Sequence, residues 1–357
     1  MYFGPPKPRI LLILTVLDGM ENFPMVSIII PLWKHEKFLK TAIESIFNQN
    51  YKNIEIVLVN NNATKNVIDL ASEVIHLNKG VPIRIVTEVV QGIASARSRG
   101  VIESQGDFVA FLDSDDFMYN NRVSEQVNVF KENPNASMIV CQYDFVSNDG
   151  ENILKRGWTP RPEPWASLLL GKGFDPGTPF YDSHPSTMLF PRQMALKAGL
   201  FDTRFNPFWY EDSEFSLKMH FLGPIICIDK PLVAIRETSS EYRKTREGTV
   251  DWVRFVNTQI FFDVLRKRFS LLSQENKNLF SRIKSRWLLE QSRTYFNSKN
   301  GEMLGRRMIL RGLKEFPFSV KNVNYVSDLL FSHQGNKIGP EIPPEFNSIK
   351  FVDNYLE

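Results

Sequence analysis

At 357 residues, 43% hydrophobic and 23% charged, with a net charge of +3, the chain has the composition of an ordinary globular protein. That length holds one large α/β domain with an appendage, or two to three small domains, and so small a charge gives no argument for nucleic acid as a partner. The charge is unevenly spread: between Trp252 and Lys314 fourteen basic residues meet four acidic ones, so the C-terminal third is the basic part.

In chain order, the apolar run Ile10–Leu17 is far short of the ~20 residues a membrane span needs and is closed by Asp18, so it reads as a leading strand or a surface-packed extension. Met25 directly precedes the first core strand, which sets residues 1–24 apart as an N-terminal extension. Strands at Val26–Pro31, Ile54–Asn60, Ile83–Glu88, Phe108–Leu112 and Ser137–Tyr143 alternate with helices at Lys37–Gln49, Val67–Leu77, Ile93–Ser104 and Arg122–Glu132. Their apolar spacing switches between the strand and helix periods, and a βαβα order predicts a mostly parallel sheet with helices on both faces. Gly, Pro and aromatic residues crowd Gly157–Asp182, as in long loops around a site. Beyond them come a strand near Thr187–Phe190, a helix near Ser213–Leu222, and strands at Ile225–Ile228 and Leu232–Arg236. From Val250 onward the pattern is helical, at Asn257–Phe269, Asn278–Phe296, Glu302–Phe316 and Val323–Phe331. Cys141 and Cys227 sit inside apolar runs and read as buried free thiols, which fits a reducing, cytoplasmic setting.

The chemistry concentrates at one strand end. Phe108–Leu112 runs straight into Asp113-Ser114-Asp115-Asp116. In an open α/β sheet, ligands bind at the C-terminal strand edge. Carboxylates at alternate positions can aim at one hard cation such as Mg²⁺ or Mn²⁺, which neutralises a diphosphate. The alternative is a solvated acidic turn. The first strand carries no G-x-G-x-x-G, and no G-x-x-x-x-G-K occurs in the chain, so neither phosphate-binding loop is available.

Several segments line up in order: Val26–Leu39, with Pro31, Trp33 and Glu36; Asn53–Asn62; Gln91–Ser98; the Asp113–Asp116 loop; and Tyr210–Lys218. Together they resemble the family 2 glycosyltransferases, inverting enzymes of the GT-A fold that use nucleotide sugars. The resemblance covers roughly Val26 to Arg236. It implies a mostly parallel central sheet flanked by helices, to which the helical pattern beyond Val250 adds an all-helical C-terminal appendage. The resemblance divides the chain into a catalytic domain at 25–238, with a nucleotide-binding half at 25–135 and an acceptor half at 136–238, and the helical pattern gives a further region at 239–357.

By the same resemblance, Trp33 would stack on the nucleobase, Pro31 would shape the turn and Glu36 would sit near the ribose or base. Asp113 and Ser114 would face the nucleoside, Asp115 with Asp113 would hold Mn²⁺ or Mg²⁺, and Asp116 would orient the loop. Arg97 could meet phosphate charge, or form a surface salt bridge. Asp212 aligns with the family's general base, against the alternative of a helix cap; Glu211 is the runner-up. His184 and His220 are set aside, His220 as structural. Two positions depart from the family. Asn61 stands where an Asp accepts the uracil N3–H, which an amide oxygen can still do, and Lys218 stands where an Arg is usual.

The expected activity is therefore transfer of a sugar, UDP-linked by the family's habit, to a saccharide or lipid-linked hydroxyl in cell-surface polysaccharide synthesis. The alternative is a catalytically inactive nucleotide-sugar-binding or scaffolding protein of the same fold. No nucleic acid is expected as a partner. The basic C-terminal helices could lie peripherally on the inner face of an anionic membrane, or bury their apolar faces and leave the charges solvated.

Overall fold

A computed structural model describes residues 23–34, 36–77, 80–158, 184–206, 210–220, 222–237 and 302–315, together with residues 281, 284, 285, 288, 289 and 292. Residues 1–22, most of the loops expected over Gly157–Asp182, and the helices expected at Asn257–Phe269 and Val323–Phe331 lie outside them. The chain divides into two compact units, Met1–Pro162 with Thr178–Thr238, and Glu163–Gly177 with Ser239–Glu357.

The first unit is built on one nine-stranded sheet. Its strands are β1 (Val26–Leu32), β2 (Ile54–Asn60), β3 (Ile83–Thr87), β4 (Phe108–Phe111), β5 (Phe117–Met118), β6 (Met138–Val146), β7 (Ile153–Trp158), β8 (Leu189–Pro191) and β9 (Ile225–Arg236). They lie in the order β3-β2-β1-β4-β8-β6-β9-β5, with β7 paired to β6. The long ladders, β1 with β2 and β4, β2 with β3, and β6 with β9, are parallel. The antiparallel ladders, β4 with β8, β5 with β9, and β6 with β7 and β8, are short.

Helices α1 (Glu36–Phe47), α2 (Lys65–Leu77), α3 (Ile93–Glu103), α4 (Arg122–Glu132), α5 (Arg192–Ala198) and α6 (Glu211–His220) flank the sheet. β1 is buried along its whole length, as a strand covered on both faces must be. Its alternate residues feed two cores. Ile28 and Ile30 join the α1 and α2 side, and Ile29 joins Val57, Val109 and Phe111 under α3 and α6.

Chain order places the site. β1 to β3 build the sheet one way, and β4 is laid on the other side of β1, so the strand order reverses between β1 and β4. Loops leaving the C-terminal ends of adjacent strands diverge at such a point and open a crevice.

In the second unit the described residues are helical. They are six residues between Ser281 and Ser292, and α7 (Glu302–Glu315). Leu288, Leu289, Met308 and Ile309 are buried, while Leu310 keeps 67% of its surface. Among the described residues no helix is long and apolar enough to cross a membrane.

Candidate active site

The crevice is lined first by the end of β1. The Ile29 carbonyl accepts the Leu112 N–H, the last rung toward β4. Pro31, two residues on, presents its backbone to the same side past the end of that ladder, where its missing N–H leaves no rung unmade. Trp33 follows, part-buried, its carbonyl accepting the Thr64 N–H at 3.0 Å. The Lys34 ammonium lies 4.3 Å from the Trp33 ring centroid. Glu36 opens α1, and its side chain is outside the described part.

At the end of β2 three asparagines have three backbone tasks. Asn60 Oδ1 accepts the Ala63 N–H at 3.0 Å, closing the turn into α2. Asn61 is 4% exposed. Its amide donates to the carbonyls of Glu88 (2.9 Å) and Val90 (2.8 Å), and its oxygen accepts the Gly92 N–H at 2.8 Å. The amide given the uracil contact on sequence grounds thus has both N–H groups committed to the loop after β3. Asn62 has φ 57°, in the left-handed region that Asn tolerates better than most side chains; the family pattern has Gly at this place.

The acidic loop is fixed from three directions. The Asp116 N–H returns to the Asp113 carbonyl at 3.0 Å. Ser186 Oγ accepts the Asp113 N–H at 3.0 Å and donates to Asp116 Oδ2 at 2.6 Å. Asp116 Oδ1 accepts the Arg236 N–H at 3.2 Å. Burial, then the charges of Asp115 and Asp113, pushes the Asp116 carboxyl well above the usual carboxylate range. Asp116 is thus tied to both Ser186 and Arg236 from inside the loop. Ser114 is buried, whereas Asp113 and Asp115 are partly open.

Metal-ligating atoms of Asp113, Asp116 and His184 lie within 4.8 Å of one another. Of the two acids that the resemblance assigned to the cation, Asp113 is in that group and Asp115 is not, and His184, set aside on sequence, is. His184 precedes the short 3₁₀ turn Pro185–Thr187, and its Nδ1 faces the Ser186 N–H at 3.3 Å. Burial pushes the imidazole down to about 4 and so keeps it neutral, and Nδ1 can meet a cation once it gives up the Ser186 N–H. Oxygens plus one imidazole suit Mn²⁺ better than Mg²⁺, which favours oxygen alone, so the residues present fit a divalent cation.

The opposite wall comes from α3 and α6. Gly92 opens α3 with φ 139°, and a Cβ there would overlap Asn206. Asn206 Oδ1 accepts the Ala94 N–H at 3.1 Å, capping the helix from a distant segment. One turn on, Arg97 is only 3% exposed. Its Nη2 donates to Asp113 Oδ1 at 2.9 Å and its Nη1 to Glu211 Oε1 at 2.7 Å. Tyr210, just before α6, holds φ 67°, uncommon for so large a side chain. Glu211 is buried, and burial, then the charge of Asp212, pushes its carboxyl up to about 7 against the pull of Arg97. Asp212 is part-buried, one oxygen accepting the Ser213 N–H at 2.8 Å. Of the two acids, Asp212 is the more open. Lys218 points inward, paired with Glu214 at 2.8 Å and donating to the Leu200 carbonyl. His220 is buried, and burial pushes its imidazole down to about 4.

Residues 27–199 match the glycosyl transferase family 2 profile. Over those residues, a little under half of its length, the chain is a family 2 glycosyl transferase domain. An uncharacterized glycosyltransferase of Haemophilus influenzae is 35% identical over 153 residues, 43% of this chain and 60% of the relative. Another, from Rickettsia typhi, is 30% identical over 182 residues, 50% of this chain and 54% of the relative. The chain thus spans little more than half the length of these relatives. Among solved structures, a fragment of S. aureus TarS superposes with TM-score 0.54 at 14% identity, over 93% of this chain and 89% of that one. GalNAc-T7 superposes with TM-score 0.51 at 17% identity, over 60% and 44%. At such identities the likeness is one of fold, and the fold of this family 2 domain is the GT-A fold expected from its sequence.

Proposed function

We propose that this chain transfers one sugar from a nucleotide-diphosphate donor, UDP-linked, to a hydroxyl of a saccharide or lipid-linked acceptor, with inversion. The observation that carries the reading is the joining of Asp113 and Glu211 through Arg97, because it sets an acidic donor loop beside the carboxylate next in sequence, Asp212. In the proposed reaction the acceptor oxygen attacks the anomeric carbon, its proton passes to Asp212, and the bond to the diphosphate oxygen breaks with both electrons leaving on phosphate. Asp113 and Asp115, with the His184 imidazole as a further donor, would hold Mn²⁺ or Mg²⁺, which when bound supplies positive charge to the leaving diphosphate. Trp33, Pro31, Glu36 and Ser114 keep their proposed places around the nucleoside. GalNAc-T7, of the same fold, was solved with UDP, GalNAc and Mn²⁺, and that chemistry is carried here as part of the proposal.

The test is a thermal-shift panel of UDP-, GDP- and TDP-sugars with and without Mn²⁺, since a ligand of the folded state raises the midpoint by mass action. A metal-dependent shift with a UDP-sugar is expected; none with any donor ends the reading. Asp212→Asn should leave UDP affinity in place and lower turnover by ~10²–10⁴-fold, the range for a positioned base. Near-normal turnover would make Asp212 a cap.

The rival, a fold-preserving binder or scaffold without turnover, draws support from the commitment of the Asn61 amide to backbone, and measured turnover separates the two. We also keep the boundaries 25–238 and 239–357, a role in surface-polysaccharide assembly, and a cytoplasmic placement against the membrane's inner face. α7 supports that placement by turning Arg306, Leu310 and Lys314 outward one helical turn apart. Sedimentation with anionic but not neutral vesicles is the expected result.

A further inference from the structure

Arg97 has a geometry that a phosphate ligand would not need. Its guanidinium is almost wholly buried, and each of its two terminal nitrogens donates to a carboxylate from a separate segment. Asp113 begins the acidic loop leaving β4, and Glu211 begins α6 and precedes Asp212. The guanidinium carbon lies 5.8 Å from the Phe111 ring centroid and 6.0 Å from that of Phe201, so apolar rings hold the fork in place. A planar guanidinium presents its donors at fixed angles, which an ammonium cannot reproduce. In so dry a setting, losing one partner leaves a charge buried and uncompensated.

Resting on the glycosyl-transfer reading, we propose that Arg97 is a positioning residue. It is a strut that sets the separation between the donor loop and the helix carrying the base, and so couples donor binding to base placement. Asp113 and Glu211 act on each other through Arg97, each bonded to a different nitrogen of the same fork. Moving either carboxylate tilts the fork, and the tilt is handed to the other side.

The experiment is a double-mutant cycle of Asp113→Asn and Glu211→Gln, run in the parent and again with Arg97→Lys. The readouts are calorimetric UDP affinity with Mn²⁺, and kcat and KM for UDP release from a panel of UDP-sugars. Glu211→Gln alone should lower kcat on the order of tenfold and, because the tilt of the fork reaches Asp113, also weaken UDP affinity by about threefold. In the parent the two substitutions should be non-additive in kcat by on the order of fivefold or more, and in Arg97→Lys they should become additive. Circular dichroism and melting midpoints select variants that keep the fold. If Arg97→Lys does not, non-additivity in the parent cycle carries the test alone. Additive effects in the parent overturn the strut. So does an Arg97→Lys variant that raises KM with kcat unchanged, the behaviour of a phosphate ligand. A parent that neither binds UDP with Mn²⁺ nor releases it from any donor overturns the glycosyl-transfer reading itself, and the strut with it.

Discussion

The Ser186 hydroxyl donates to Asp116 Oδ2 at 2.6 Å across 70 positions of the chain. Ser186 Oγ also accepts the Asp113 N–H, so one buried side chain closes both ends of the acidic loop. Ser186→Ala leaves the Asp113 N–H and one Asp116 oxygen without that partner. The expected cost is about 1–3 kcal/mol, as for buried groups left unpaired, with weaker Mn²⁺-dependent UDP binding. Urea denaturation and calorimetry measure the two effects, and parental values in both would mean the loop holds itself.

Asn61→Asp restores the family residue, yet here it is expected to harm. The Asn61 amide donates to two backbone carbonyls; a carboxylate cannot, and would face two acceptor oxygens. A loss of about 2–3 kcal/mol is expected from two donors removed in a buried place. Urea midpoints decide it, and a variant as stable as the parent would show that the loop after β3 re-forms around an acid.

His184→Ala is expected to weaken UDP binding in Mn²⁺ by at least on the order of tenfold, and less in Mg²⁺, which takes oxygen ligands by preference. Titrating UDP into the variant under each metal tests this. Equal losses in both metals would remove the imidazole from the cation's surroundings.

Glu211 gives the fold a pH dependence of known sign. Its folded carboxyl is pushed up to about 7, chiefly by burial, whereas an unfolded Glu titrates near its ordinary ~4.3. The folded state therefore holds the extra proton between those values. The stability this group contributes is complete below about pH 4.3 and is lost as pH rises through about 7. Glu211→Gln abolishes that slope, so its stability relative to the parent should rise by roughly 2–3 kcal/mol from about pH 5 to about pH 7. Urea midpoints that run parallel across this window would contradict it.

The centre of the sheet was legible because β1, β2 and β4 bury both faces. The spacing marked β1, β2, β3 and β4 to within a residue or two. The strands expected at Ile225–Ile228 and Leu232–Arg236 are one strand, β9, which carries Pro231 through a register shift against β6; the proline read as a break. β5, two residues long, has no period to detect. At the site, Asp113, Asp116, Glu211 and Asp212 announced themselves as acids at element ends. Ser186, Asn206 and Arg122 did not, because their importance lies in partners 11 to 112 positions away and nothing local encodes that distance. His184, beside Pro185 and Ser186, carried no metal-ligand spacing.

Arg122 bears on how the molecule comes together. It is among the largest fully buried side chains, donating to the carbonyls of Phe111 and Met188 and to Gln126. A chain that had docked α4 on β4 before the Met188 segment arrived would hold a cation in its core with a donor unanswered, an expensive species. Formation of the acidic loop and arrival of the Ser186 turn are thereby tied into one cooperative step. Amide hydrogens at Phe111–Asp113 and at Thr187–Leu189 should exchange with a common opening free energy, as one foldon.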